Sequence, residues 1–188
     1  MDDRGNLQPD GIVDALRGLF GADGDVALNT ALMAPFASDR GLLRQRINAA
    51  LQAASARSEV DATRTAGVGY CFGGMCVLEL ARMGAPVQGV ASVHGIFSAG
   101  NAANASITAK VLCLHGHDDP MVPVADVVAL ETELTATCAD WQIHTYGKTL
   151  HSFTNPEAND PGFGVQYSAR ADQRSWATLL HFLAERLA

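Results

Sequence analysis

This sequence has no run of basic residues, no long apolar stretch near its start and no framework of loop cysteines. Lys and Arg number 13 against 20 Asp and Glu, a formal charge of -7 with a pI near 5.2, which disfavours phosphate backbones and argues against a nucleic-acid partner. Residues 1 to 20 begin acidic and hold neither the apolar core of a secretory signal nor a membrane span. The expected compartment is therefore the cytoplasm. Four cysteines could form two disulfides, yet Cys71, Cys76 and Cys113 fall in segments that read as buried strand, turn or helix, where reduced thiols fit better. Repeats and low-complexity tracts are missing as well. What remains is 188 residues, 48% apolar and 18% charged, the balance of a single globular domain with a real core.

The most informative segment is Gly69-Tyr70-Cys71-Phe72-Gly73-Gly74. Upstream, Thr63 to Tyr70 is a short apolar, turn-bounded run that suits a buried strand. Downstream, Gly74 to Met83 has the apolar spacing of a helix. Cys71 then occupies the turn between strand and helix, a nucleophile elbow with sulfur in place of oxygen. A nucleophile in such a turn has a strained backbone, and side chains at 69 or 73 are expected to collide with the crossing elements, hence the glycines. The helix N-terminus faces the sulfur and favours thiolate, and the Phe72 N–H is placed to stabilise an oxyanion.

Two later segments supply partners. His115-Gly116-His117-Asp118-Asp119-Pro120 follows the apolar run Lys110 to Leu114, and Gly147 to Phe153, which includes His151, follows the strand-like Trp141 to Tyr146. Loops at strand C-termini are where open parallel sheets build their sites. The chain order nucleophile, acid, histidine (Cys71, Asp119, His151) is that of α/β-hydrolases. On the residues alone, Asp118 competes with Asp119 as the acid.

Taken together, GYCFGG, GHDDPMVP and YGKTLHSFTNP resemble the dienelactone hydrolase family of α/β-hydrolases, and Tyr167 to Trp176 resembles that family's last helix. The resemblance runs from about Asp39 to the C-terminus and is weaker before it. It implies Cys71 as nucleophile, Asp119 as the orienting acid, His151 as base and the Phe72 N–H as oxyanion donor. Asp119 is preferred because the family's acid lies four residues before a proline, here Pro123. His94 and Phe153 are the expected substrate contacts, a structural histidine at the strand end being the alternative for His94. No cofactor or metal is implied. The implied function is hydrolysis of a small carboxylic ester or lactone through an acyl-enzyme; the alternative is a weak or inactive fragment serving as a structural or interaction module. Dienelactone-cleaving members carry an arginine four residues after the catalytic histidine, and Asn155 stands there, so no carboxylate clamp is evident.

The remaining pattern gives short amphipathic candidates at Gly11 to Phe20 and Val26 to Met33, then a helix capped by Asp39 and running to about Ala56. After the elbow helix come strand Val87 to Val93, a loop through Ala99 to Ala105, strand Lys110 to Leu114, helix Val124 to Thr137, strand Trp141 to Tyr146, a long loop and helix Ser168 to Leu187. Alternation of strand and helix predicts a parallel sheet covered on both faces. No convincing strand precedes Thr63, whereas a complete α/β-hydrolase has several, roughly 50 residues' worth. The expectation is one domain, 1–188, incomplete at its N-terminus, with a bare sheet edge open to self-association.

Several other residues invite a role. His115, His117, Asp118 and Asp119 approach a binuclear metal motif, but Pro120 takes the place of its last histidine. Cys76 has the wrong spacing for a redox pair and reads as core. His144 reads as surface or satisfied core. Arg40, Arg44 and Arg46 read as a solvated helix face. Gly67-Val68-Gly69 lacks the rest of a dinucleotide fingerprint.

Overall fold

The structure is a computed structural model in which residues 26–100, 106–138 and 140–188 are described. The chain divides into two compact units, Met1–Ser38 and Asp39–Ala188, and the sheet lies in the second. Of the first unit the described part is helix α1 (Val26–Ser38), which carries Pro35 inside it and extends past its expected end. The candidate helix Gly11 to Phe20 lies outside the described residues.

The second unit opens with α2 (Arg40–Ser55). Its N-cap is Asp39, extended, whose carboxylate accepts the Leu42 N–H at 3.0 Å, satisfying one orphan donor of the first turn. Then follow β1 (Ala66–Tyr70), α3 (Phe72–Arg82), β2 (Gly89–Val93), β3 (Lys110–Gly116), α4 (Val124–Thr137), β4 (Trp141–Tyr146), a short antiparallel ladder of β5 (Asn159–Asp160) with β6 (Val165–Gln166), and α5 (Ala169–Leu187). Strands β1 to β4 form a parallel sheet in sequence order, with Ala66 opposite Gly89, Gly89 opposite Lys110 and Val111 opposite Trp141.

Alternate residues of the strands feed two cores. On one face Val90, Val111 and Cys113 meet Val77 and Leu80 of α3 and Leu130 and Leu134 of α4, with Ile47 and Leu51 of α2 packed outside them. On the other, Ala91, Val93, Leu112 and Leu114 meet Ala171, Leu179 and Phe182 of α5. Burial on both sides is why these strands read as continuous apolar runs rather than alternating ones. Helices α3 and α4 share one face because successive right-handed crossovers advancing in one direction return on the same side.

Among the described residues β1 has a strand neighbour on one side, β2, and stands at the edge of the sheet. Because all four strands are parallel, the loops after β1, β2, β3 and β4 emerge at one end. Cys71, His94, Asp119 and His151 each lie in one of those loops.

Beneath the elbow helix the structure corrects the reading of the arginines. Arg40 and Arg44 are not solvated: Arg44 Nε bonds Glu79 Oε2 at 2.8 Å, and Arg40 is 8% exposed with its Nη2 donating to the Ser98 carbonyl at 3.2 Å. Glu79, fully buried in α3, also accepts Arg82 Nη1 at 3.0 Å, and Arg82 grips Glu133 of α4 through Nε and Nη2 at 2.8 and 2.7 Å and the Phe97 carbonyl at 3.1 Å. Only Arg46 of the three is exposed. The network ties α2, α3, α4 and the loop after β2 into one block, and removing one member would strand buried charge.

Candidate active site

The elbow forms as the glycine pattern requires, with one change in which glycines matter. Cys71 has φ 53° and ψ −119° between β1 and α3, a conformation few side chains adopt without support. A Cβ on Gly69 would lie 1.9 Å from the Gly73 carbonyl oxygen, and one on Gly74 would lie 2.6 Å from Gly95 Cα and from Ser92 Oγ. A Cβ on Gly73 would meet nothing within 4 Å. The expectation that position 73 is sterically forced is therefore wrong; the close approach is between Gly74 and the end of β2. Helix α3 also starts at Phe72 rather than at Gly74, because two glycines in its first turn disfavour a helix in isolation but let it dock against β2.

Three side chains from three loops line up at the sulfur. His151 Nε2 is 3.1 Å from Cys71 Sγ, and His151 Nδ1 is 2.7 Å from Asp119 Oδ2. The other oxygen of Asp119 accepts the Met121 N–H at 2.8 Å. Asp119 and His151 are almost wholly buried, whereas Asp118 is exposed, so Asp119 is the one of the two carboxylates that meets the imidazole. His151 is held at its backbone too: its N–H donates to the Gly164 carbonyl at 3.0 Å, and its carbonyl accepts the Gln166 N–H at 3.1 Å. The short β5–β6 ladder inside the expected long loop thus serves to anchor the histidine.

Charge follows geometry. Burial opposes ionisation of Cys71, but the hydrogen bond and positive charge of His151, with the Phe72 N–H, outweigh it and hold the thiol below its ordinary value. Burial likewise opposes charge on His151, yet its bonds to Asp119 and Cys71 raise it to about 9. Both shifts move the pair toward thiolate and imidazolium. The other thiols go the opposite way: burial pushes Cys76 up to about 11 and Cys113 up to about 12. All four cysteines are free.

The other expected site residues fall as follows. Phe72 supplies its N–H to the sulfur. Phe153 is fully buried between Tyr146 and His94, ring centroids 5.5 and 5.2 Å away, so it packs the core beneath the site and does not face a substrate. His94, 4% exposed, has both ring nitrogens engaged internally, Nδ1 with the Cys71 N–H at 3.2 Å and Nε2 with Thr154 Oγ1 at 2.9 Å; it too is withdrawn from substrate contact. Asn155 is exposed and its side chain accepts the Glu157 N–H at 3.0 Å, closing a turn. The histidine-rich run disperses, with His115 buried against Phe97 and His117 and Asp118 exposed. Among the described residues no group of three or more His, Cys, Asp or Glu is arranged to hold a metal ion.

An elbow cysteine, an acid after β3 and a histidine after β4 on an ordered parallel sheet have close relatives. The model of the dienelactone hydrolase family matches residues 17–187, further upstream than the motifs alone reach. Uncharacterized protein K02A2.1 of Caenorhabditis elegans is 36% identical over 156 residues, 80% of this chain and 99% of that protein. The crystal structure of P91, a dienelactone hydrolase-like promiscuous phosphotriesterase from metagenomic libraries, superposes with a TM-score of 0.84 at 34% identity over 97% of this chain and 82% of that one. A structure named m3DLH does so with a TM-score of 0.83 at 32% identity and the same coverage. With match, identity and architecture agreeing, the chain belongs to the dienelactone hydrolase family, hydrolases built on the α/β-hydrolase fold.

Proposed function

We propose that this protein hydrolyses a small carboxylic ester or lactone by acyl transfer through Cys71. The observation that carries the reading is the chain Cys71 Sγ, His151 Nε2, His151 Nδ1, Asp119 Oδ2 at 3.1 and 2.7 Å, joined to a thiol lowered where Cys76 and Cys113 are raised. The thiolate attacks the carbonyl carbon, and the oxyanion that forms is met by the Phe72 N–H and the N-terminus of α3. The His151 imidazolium gives its proton to the departing alkoxide, leaving a thioester and a neutral imidazole. Water then loses a proton to His151 as it attacks the thioester, and the thiolate departs with the ion pair restored. Lactones and activated esters suit this sequence better than amides, whose leaving group is far poorer. Reduced thiols and a sulfur nucleophile fit a cytoplasmic setting, and no helix among the described residues is long and apolar enough to cross a membrane.

The test compares wild type and Cys71→Ala on p-nitrophenyl acetate, a simple lactone and diethyl p-nitrophenyl phosphate, the last because of the activity named for P91. Wild type should turn over the ester or lactone and show an acyl adduct on Cys71 by mass spectrometry. Turnover persisting in Cys71→Ala would move the chemistry elsewhere. Phosphotriester turnover alone would replace the carbonyl substrate class, and silence on all three would favour an interaction module.

A further inference from the structure

His94 is left without a part in the acyl-transfer steps, yet it joins two of the loops that build the site. It closes β2 with φ 38°. Its Nδ1 lies 3.2 Å from the Cys71 nitrogen, a bond the Cys71 N–H shares with the Val93 carbonyl at 3.1 Å. A backbone N–H can only donate, so Nδ1 must accept, and the ring proton must sit on Nε2, where it donates to Thr154 Oγ1 at 2.9 Å. Thr154 stands three residues after His151. The ring itself abuts His151 edge-on with centroids 5.2 Å apart, and Phe153 backs it at 5.2 Å. Burial and the neighbouring His151 charge push its pKa down to about 4, so the lone pair on Nδ1 stays free at neutral pH.

We propose that His94 is a positioning residue for the Cys71 thiolate: Nδ1 holds the strained Cys71 backbone, Nε2 ties that backbone through Thr154 to the loop of His151, and the Sγ to Nε2 distance is fixed between them. The inference rests on Cys71 being the reactive thiol. Its physical basis is that a residue at φ 53° and ψ −119° persists only where its surroundings over-determine it. The Val93 carbonyl merely continues the β-ladder, whereas His94 is bonded to both sides of the site. Ionisation of the sulfur in turn needs the imidazole at hydrogen-bond distance.

The experiment follows iodoacetamide alkylation of Cys71 against pH in the intact chain, read on the Cys71 peptide, with thermal midpoints measured alongside. Asparagine places an oxygen near the position of Nδ1 and tolerates positive φ, while glutamine reaches toward Thr154 but offers no acceptor to Cys71. His94→Gln should raise the apparent thiol pKa by about one unit and slow alkylation at pH 7 about tenfold. His94→Asn, which keeps the acceptor for Cys71 but loses the tie to Thr154, and Thr154→Val, which keeps the ring but frees its tautomer, should both fall between His94→Gln and wild type, Thr154→Val without loss of thermal stability. Unchanged alkylation in a folded His94→Gln would overturn the proposal and leave His94 a packing residue. Should that variant fail to fold, Thr154→Val decides: slowed alkylation at an unchanged melting point supports positioning, and wild-type alkylation sinks it. A wild-type Cys71 that titrates as an ordinary thiol would remove the nucleophile reading itself, and this inference with it.

Discussion

Replacing Asp119 by asparagine is the sharpest probe of the site, because the structure dictates how the new amide must sit. One carboxylate oxygen accepts the Met121 N–H at 2.8 Å and the other meets His151 Nδ1 at 2.7 Å. In Asp119→Asn the amide oxygen is claimed by the Met121 N–H, so the NH₂ turns toward His151. Nδ1 must then accept, the ring proton moves to Nε2, and the neutral ring can neither draw the thiol proton to form the thiolate–imidazolium pair nor take a proton from water at deacylation. Charge is lost as well. The rise of His151 from 6.5 to about 9 corresponds to about 3 kcal/mol favouring imidazolium, shared between Asp119 and Cys71 after burial has been overcome. Losing the Asp119 part should slow Cys71 alkylation at pH 7 by about 10- to 100-fold. Ester turnover should fall by about 10²- to 10⁴-fold, since wrong tautomer and lost charge act together. Asp118→Asn, at an exposed position, should change either rate by less than about twofold. The assays are iodoacetamide alkylation and p-nitrophenyl ester hydrolysis on purified variants. Equal losses in the two variants, or unchanged alkylation in Asp119→Asn, would refute the reasoning.

Cys71→Ser should fold normally and hydrolyse far more slowly than wild type, because a hydroxyl set for thiolate chemistry needs a stronger base; equal rates would argue against a sulfur-tuned site. Gly69→Ala should destabilise by at least about 2 kcal/mol, its Cβ landing on backbone, whereas Gly73→Ala should be neutral or up to about 1 kcal/mol stabilising in the helix; thermal denaturation separates them. Alkylation of Cys71 should begin on the acid side of a free thiol's titration, since its pKa is lowered, and should persist above pH 9. Hydrolysis should instead decline above about 9 as His151 loses the proton the leaving group requires, so coincident alkaline limbs would contradict the assigned roles. Val68 and Tyr70 of β1, the edge strand among the described residues, are 38% and 42% exposed, so the protein should self-associate with rising concentration in light scattering; a concentration-independent monomer would count against this.

What could be read from the sequence was whatever a short window encodes. Helix α4 and strand β4 appear at their expected bounds, Val124–Thr137 and Trp141–Tyr146, because apolar period and flanking turn residues are local. The cap of α2 was equally plain, since an Asp three residues before the N–H it binds is a sequence pattern. The order of Cys71, Asp119 and His151 was legible because a parallel sheet converts successive strand ends into one cluster. Choosing Asp119 over Asp118 needed the resemblance; in the structure Asp119 turns into the protein to His151 while its neighbour faces solvent.

The misses share one cause, a partner far away in the chain. Arginines at 40 and 44 look solvated until Glu79, 35 residues beyond the second, arrives on α3 to pair with them. Which glycine of the elbow is sterically required depends on how near Gly95 and Ser92 of the β2 end come to Gly74, a distance no spacing rule contains. Phe153 is expected at the substrate, yet with Ser152 before it at φ 55° its ring lies inward in the core. For His94 the bonds come from position 71 on one side and 154 on the other, so a histidine at a strand end carries no local sign of its role. The side chains that meet at the sulfur were thus visible in the sequence, while those packed around them became visible only when the sheet brought the loops together.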